Sequence, residues 1–129
     1  MSQVKIFGRR RVLEPVRQEL SDVVQSCLVD AFGLPDDKRF QRFVMLEDVD
    51  FIHPSDRSER YTIVEISCFE GRSADAKKKL ISLLYERCDR KLELAPGDLE
   101  ITISETPRAN WGIRGKPGDE LTLSYDVNT

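Results

Sequence analysis

Hydrophobic positions in the first half of the chain follow a strand-like pattern, then a helical one, then a strand-like one again. Residues 3–8, QVKIFG, predict a short strand. Residues 14–32 carry apolar side chains at helical spacing, and Gly33 and Pro35 predict the end of that helix. Residues 40–47, FQRFVMLE, alternate imperfectly between apolar and polar, as a half-buried strand does. The first half is therefore predicted to fold as strand, helix, strand.

The second half repeats this order. Residues 61–69, YTIVEISCF, and 99–104, LEITIS, predict strands, and the residues between Ala74 and Leu92 predict a helix. Residues 48–60 are polar and rich in turn residues, which predicts a loop with at most a short edge strand. Near the end, ELTLSYDV alternates like one more strand, and we expect this tail to pack on a neighbouring subunit.

The two halves match at a constant offset of 61 positions. The identical pairs are Arg11 and Arg72, Ser21 and Ser82, Cys27 and Cys88, Pro35 and Pro96, and Asp37 and Asp98. Such a match favours a duplicated unit, with copies at about 1–47 and 61–115 and a tail at 116–129. The predicted fold is one α/β (α+β) domain, in which two tandem β-α-β units form a four-stranded mixed sheet with two helices on one face. The second face of the sheet needs a cover, and oligomerisation is the simplest supplier.

Composition narrows the classes of function. The formal net charge is −3 and 33% of residues are charged, with both signs interspersed, which argues against a nucleic-acid surface. No apolar run has the length of about 20 residues that a membrane span needs, and the amino end is charged where a signal peptide would be apolar. Cys27, Cys68 and Cys88 are too few and too widely spaced for a disulfide framework or a zinc site. We therefore expect buried, reduced thiols in a cytoplasmic protein.

The stretch Glu70-Gly71-Arg72-Ser73 joins the third predicted strand to the second helix. Glycine allows a tight turn, and Ser73 is expected to cap the helix. Arg72 does not fit this purely structural reading, because a cation is unfavourable at the positive end of a helix. A cation and a helix amino end would together hold a carboxylate well. The alternative is a salt bridge from Arg72 to a glutamate on another subunit.

The stretch EGRSADAKKKL closely resembles the tautomerase superfamily when it is taken together with the apolar strand before it. The stretch ETPRANWGIRG, after the last strand, shares this resemblance. Members of the superfamily include 4-oxalocrotonate tautomerase, the 3-chloroacrylic acid dehalogenases and malonate semialdehyde decarboxylase. The resemblance implies a homotrimer of double units that needs no cofactor and acts on a small 2-oxo or enol carboxylate. It also implies an amino-terminal proline as general base or acid and an arginine that binds the carboxylate. The arginine falls on Arg72, and the family's pocket aromatic falls on Trp111.

The main departure from the family is that the catalytic proline falls on Ser2. The second unit's equivalent, Thr62, is inside the chain and supplies no amine. Arginines that some members carry are replaced, by Glu70 or Phe69 at the corner and by Glu100 in the last strand. The predicted site therefore lacks the proline and the additional arginines that other members of the family have.

A second departure concerns the loop before the second strand. The loop aspartate of the decarboxylase aligns with Lys38, and Asp37 next to it would match after a shift of one residue. We therefore include Asp37 among the predicted substrate-binding residues.

Loss of the proline does not remove the base. Excision of Met1 before a small residue leaves the Ser2 amine, with a reference pKa of about 7.7 to 8.0. Burial and the charges of Arg72 and the basic run at 9–11 are expected to lower that pKa and favour the neutral amine. Serine's amine is more flexible and less basic than that of proline, so weak activity is expected.

Other candidates complete the predicted site. Arg11 keeps the repeat register with Arg72 and is a candidate for substrate binding, although solvated surface charge is the simpler reading. Glu105 follows a strand and is a candidate to activate water. Trp111 is either a substrate-facing aromatic or a subunit contact. His53, the only histidine, has no metal-site spacing around it.

Two functions remain open from the sequence. One is a tautomerase-like enzyme, in which the Ser2 amine moves the proton, Arg72 holds the carboxylate and Trp111 closes the pocket. The other is a trimeric homologue that has lost the chemistry and binds a small anion or a protein partner.

Overall fold

A four-stranded mixed sheet forms the centre of the computed structural model, which describes all 129 residues. Its strands are β1 (Ser2–Arg9), β2 (Gln41–Leu46), β3 (Thr62–Phe69) and β4 (Leu99–Thr106), in the order β2-β1-β3-β4. Each β-α-β unit contributes one parallel pair, β1 with β2 and β3 with β4, and the two units meet through antiparallel β1 and β3. The predicted fold class is therefore confirmed.

The first helical region starts differently from the prediction because of Pro15. The structure has a short helix α1 (Arg10–Leu13), a 3-10 turn (Glu14–Val16) and then α2 (Arg17–Phe32). Proline has no backbone N–H and fixes its own φ, so one continuous helix from residue 10 would lose a hydrogen bond at this point. Gly33 ends α2 in the left-handed conformation, as the sequence indicates.

The helix of the second β-α-β unit, α3 (Ala74–Leu92), begins and ends at the predicted residues. Its N-cap is Ser73, whose hydroxyl accepts a hydrogen bond from the backbone N–H of Ala76 at 3.1 Å. The helix packs against α2, and Arg87 joins the two through Ser26 Oγ at 3.0 Å and Asp30 at 2.6 Å. Both helices cover the same sheet face and enclose the core.

The three cysteines lie inside the main core cluster of 19 buried residues and are free thiols, as predicted. Burial raises the pKa of Cys88 to about 12 and also raises the pKa values of Cys27 and Cys68. The thiols are therefore protonated core side chains at neutral pH. Neither α2 nor α3 combines the length and apolar character that crossing a bilayer requires.

The prediction of a final long strand is wrong. After β4 there is only a small hairpin of β5 (Gly112–Ile113) and β6 (Lys116–Pro117), and residues 121–129 form no strand. The alternating pattern still has a physical meaning, because Leu121, Leu123, Tyr125 and Val127 are the less exposed residues of this segment. The tail is an irregular segment that bends near Tyr125 and at Val127, and it packs one side on the domain without pairing with a strand.

The tail packs against the glycine corner of its own chain. Gly71 has a φ of +125°, in the region that favours glycine, and a side chain there would meet Asn128 Oδ1 at 2.6 Å and the Val127 carbonyl at 2.9 Å. Ser73 Oγ donates to the Thr129 carbonyl at 2.8 Å. The corner thus needs glycine both for its backbone conformation and for the approach of the tail.

Substitution Gly71→Ala is expected to destabilise the protein by about 1–3 kcal/mol, because it strains the backbone and displaces the tail. Gly97→Ala is the matched control, since nothing lies within 4 Å of its added carbon and its φ is not in the glycine region. The measurement is the free energy of unfolding from urea denaturation. Equal stability of the two variants would contradict the account of the corner.

Candidate active site

Arg72 lies between the glycine corner and α3, but its side chain serves the other helix. Its guanidinium donates to the carbonyl of Phe32, the last residue of α2, at 2.5 Å and stacks over the Phe32 ring at 4.6 Å. The carboxyl end of a helix has unpaired carbonyls and partial negative charge, so a cation is favourable there. Arg72 therefore stabilises the carboxyl end of α2 while lying at the amino end of α3.

No aspartate or glutamate side chain forms a salt bridge with Arg72, although the charge of Asp126 acts on it from a distance. Arg72 is 6% exposed, and its remaining hydrogen bond goes to Thr129 Oγ1 at 2.6 Å. Burial lowers the pKa of Arg72, and Cys68, Tyr125 and Asp126 oppose that effect in part. A buried guanidinium with only neutral partners is a favourable partner for an anionic ligand.

The amino terminus lies in the same region. The Met1 amino group donates a hydrogen bond to the hydroxyl of Tyr125. Burial, and then the Arg72 guanidinium, lower the pKa of this amino group from its ordinary value of 8.0 to about 5. Cys68 opposes this shift, and Arg108 contributes to it. An amine with this pKa is neutral at pH 7 and can accept a proton.

Ser2 is the first residue of β1 and is buried at 5% exposure. It pairs with Cys68, which in turn pairs with Glu105, so the three residues form one row across β1, β3 and β4. The Ser2 hydroxyl is buried and has no hydrogen-bond partner. Glu105 lies about 9.5 Å from Ser2 along this row, at two strand spacings, and pairs with Lys77 at 2.7 Å. The Ser2 hydroxyl is thus a polar group that lies buried beside the amino terminus without a hydrogen-bond partner.

An aromatic and cationic group adjoins the corner. The Trp111 ring packs edge-to-face on Phe69 at 5.1 Å and donates from Nε1 to Thr106 Oγ1 at 2.7 Å. The Arg108 guanidinium lies over the Phe69 ring at 5.3 Å and donates to the carbonyls of Gly118 and Leu121. A groove of about 470 Å³ opens beside this group. It is lined by Glu70, Gly71, Arg108, Ala109, Asp119, Val127 and Asn128.

The predicted site residues are brought together only in part. Ser2, Arg72, Trp111 and Glu105 all lie at the end of the sheet where β1 begins and where β3 and β4 end. Asp37 is in an exposed turn of the loop before β2, and this loop also reaches the same end, where the N–H of Val4 donates to the Phe40 carbonyl at 2.9 Å.

Arg11 lies elsewhere, beyond the far end of β1, more than about 20 Å from Ser2 by strand length. It pairs with Asp48 and Glu59 at 3.1 and 2.6 Å. The expectation that the basic run at 9–11 lowers the pKa of the amine is therefore wrong within one chain, and Arg72 and Arg108 have that effect instead. His53 is also at the far end, where its Nε2 accepts from Arg9 at 3.0 Å.

Sequence reasoning missed Tyr125, Arg108, Lys77 and Thr129. Tyr125 is in the segment ELTLSYDV that the alternating pattern assigned to a strand, Thr129 lies just after it, and nothing in that pattern indicates a return to the amino terminus. Arg108 was visible in the stretch ETPRANWGIRG, directly after β4, but its pairing with carbonyls has no sequence signal. No group of three or more histidine, cysteine, aspartate or glutamate side chains is arranged to hold a metal ion.

Comparison with known proteins relates the chain to one family. Residues 38–114 match the sequence model of a family described as tautomerase enzyme. The probable tautomerase YrdN of Bacillus subtilis is 26% identical and the match covers 74% of this chain and 78% of that protein. The 2-hydroxymuconate tautomerase of Pseudomonas putida is 32% identical over 59 residues, which cover 46% of this chain and 94% of that protein.

Solved structures show the same fold. Malonate semialdehyde decarboxylase superposes with a TM-score of 0.80 at 22% identity, covering 92% of this chain and 99% of that chain. A native fused 4-OT superposes with a TM-score of 0.79 at 21% identity, covering 92% and 98%. The fold, and the sequence match over more than half of the residues, lead to one conclusion: the chain belongs to the tautomerase family.

Proposed function

We propose that the protein interconverts the keto and enol forms of a small 2-oxo carboxylic acid. The Ser2 amine, exposed when Met1 is removed, moves the proton to and from carbon. Arg72 holds the carboxylate or polarises the carbonyl, and Trp111 closes the pocket. This assignment needs no cofactor, because the amine and the guanidinium supply the base and the anion site.

One observation carries the proposal: the amino terminus and a buried arginine that forms no salt bridge share one site at the glycine corner. A carboxylate bound to Arg72 would bring a neighbouring carbon close to the amine. The same burial that makes Arg72 ready for an anion keeps the amine neutral. Base and binding group are therefore prepared by one environment.

The presence of Ser2 in place of the family's proline is expected to lower the rate of the reaction without changing its type. After removal of Met1 the amine belongs to Ser2, which is more buried than Met1, so desolvation acts on it in the same direction. A primary amine rotates more freely than the nitrogen of a proline ring, and its proton transfer is therefore less well positioned. We expect activity that is real and weaker than that of a proline-containing member.

A second candidate function has an observation of its own. The Arg72 guanidinium is already hydrogen-bonded to Phe32 and Thr129, which is the arrangement expected of a structural or anion-binding group. In this reading the protein keeps the fold, binds a small anion or a protein partner, and lacks turnover. A hydratase or decarboxylase reaction is a further variant, with Glu105 activating water, but in the structure Glu105 already pairs with Lys77 at 2.7 Å.

We also propose that the protein is a homotrimer in the cytoplasm. The sheet face opposite the helices carries an apolar row across three strands, in which Phe7 pairs with both Val44 and Ile63. Val44 is 37% exposed on this face. A fused 4-OT described as an asymmetric trimer has the same fold, with a TM-score of 0.79 at 18% identity. Free, buried cysteines suit a reducing compartment.

Turnover tests the catalytic proposal. The untagged protein should accelerate conversion of an arylpyruvate enol to its keto form, and Arg72→Ala should reduce kcat/KM by at least about 100-fold, because it removes the charge-assisted bond to the carboxylate. Arg10→Ala, an exposed arginine at the other end of β1, is the control and should retain wild-type turnover. Intact mass identifies the terminal residue in each preparation.

Substitution Ser2→Pro in the same assay separates the two candidate functions. A further increase in turnover places the base at residue 2. An inactive wild type with an active Ser2→Pro would favour the anion-binding function, and inactivity of all variants would contradict the site assignment.

Sedimentation equilibrium tests the assembly. The expected mass is three times 14.8 kDa, and Val44→Glu should shift the protein to smaller species, because it places a charge on the apolar face of the sheet. Ser82→Glu adds the same charge on the exposed side of α3 and should leave the trimer intact. A wild-type monomer at micromolar concentration would contradict the proposal.

A further inference from the structure

Tyr125 is a half-buried residue of the tail at the candidate active site. Its hydroxyl contacts the amino terminus, and its ring packs against the hydrophobic core. The tail is fastened on both sides of this residue: Leu121 binds Arg108 at 2.6 Å, and Thr129 binds Arg72 and Ser73 at 2.6 and 2.8 Å. The position of the hydroxyl is therefore set by the fold.

The space between Tyr125 and Ser2 has the length of one residue. Met1 spans it in the structure, with its amine at Tyr125 and its carboxyl side joined to Ser2. One extended residue covers about 3.3–3.6 Å. Removal of Met1 would leave the Ser2 amine on one side of this space and the Tyr125 hydroxyl on the other. The unpartnered Ser2 hydroxyl is a further polar group at this place.

We propose that Tyr125 is a catalytic residue of the tautomerisation, which donates a proton to the carbonyl oxygen of the substrate while the Ser2 amine takes the proton from carbon. This inference rests on the proposed function and adds the acid to it. Such an acid is useful to the reaction, because enolisation by a base alone leaves a full negative charge on the substrate oxygen.

The proton transfers balance without another reactant. In the direction from keto to enol, the amine takes a proton from C3, the C–H electron pair forms the C2=C3 double bond, and the carbonyl π pair takes the phenol proton. The enzyme is left with an ammonium and a phenolate. Proton transfer between these two, directly or through water, restores the starting state. The reverse reaction uses the same groups in the opposite roles.

The electrostatics at Tyr125 suit an acid that must release and recover a proton. Burial raises the pKa of Tyr125, which keeps the phenol protonated at neutral pH. Arg72 and Arg108 act in the opposite direction, because both cations stabilise the phenolate. Arg72 would thus attract the substrate carboxylate and lower the cost of the phenolate formed during the reaction.

Kinetics of Tyr125→Phe test the inference. We expect kcat for the arylpyruvate to fall about 100-fold or more with little change in KM, since the acid acts in the transition state. Tyr85→Phe is the matched control, because it removes a tyrosine hydroxyl that donates to the Leu99 carbonyl at 2.9 Å away from the site. It should retain wild-type kcat. Thr129→Val loosens the tail without removing the acid and should affect KM more than kcat.

A binding measurement needs no turnover. Oxalate mimics the planar enolate of a 2-oxo acid, and its binding can be followed by the fluorescence of Trp111, the only tryptophan. Arg72→Ala should abolish binding, and Tyr125→Phe should weaken it about ten-fold, as loss of a hydrogen bond to a charged group does. Tyr85→Phe should leave it unchanged.

The outcomes separate the two proposals. If Arg72→Ala is impaired but Tyr125→Phe keeps wild-type kcat and oxalate affinity, Tyr125 is not the acid, and the proposed function stands. If Tyr85→Phe or Thr129→Val reproduces the loss of kcat, the effect of Tyr125→Phe is structural and the inference fails. If the wild type neither turns over the arylpyruvate nor binds oxalate, the proposed function fails and the inference fails with it.

Discussion

The contact of the Arg72 guanidinium with the carboxyl end of α2 is the interaction on which the rest of the site depends. It links the two β-α-β units, because the arginine belongs to the second unit and Phe32 to the first. The negative end of the helix allows a cation to be buried where the chain supplies no carboxylate. Burial is the larger cause of the lowered pKa of the amino terminus, and the charge of Arg72 adds to it and favours an anionic ligand. The same guanidinium therefore contributes to the packing of the helices, to the titration of the amine and to the preference for an anion.

The two ends of the duplicated fold have become different. At the end where β1 begins, the chain has an amine, a buried cation without a carboxylate and a tail that covers them. At the other end Arg10 and Arg11 are half-exposed and Arg9 is nearly buried, and all three form salt bridges with acidic residues that follow β2, namely Glu47, Asp48 and Glu59. Thr62, which begins β3 as Ser2 begins β1, is buried and has no free amine. The β-α-β repeat therefore makes the two ends of the sheet similar in backbone structure. The charged side chains and the amino terminus make only one of these ends suitable for catalysis.

Much of the fold was accessible from the sequence, because periodicity and the 61-residue offset report local structure and register. The four strands of the sheet and the end of α2 were predicted to within one or two residues. The start of α2 was the exception. The apolar spacing predicted a helix from residue 14, but Pro15 interrupts it, and α2 begins at Arg17. The corner with Gly71 and Ser73 was predicted from turn and capping chemistry. Tyr125 was not, because its contact with the amino terminus joins positions 124 apart and depends on tertiary packing.

The amino terminus and Arg72 act as one electrostatic unit, and the pKa of the amine shows this most directly. Isotope-edited NMR of the terminal amine, titrated in the wild type and in Arg72→Ala, measures that pKa. In the wild type we expect a pKa well below the ordinary value of 8.0, near 5 where Met1 is retained. In Arg72→Ala we expect a higher pKa, because the cation that disfavours the ammonium is gone. If the amine titrates near 8 in both proteins, Arg72 and the amino terminus are not coupled.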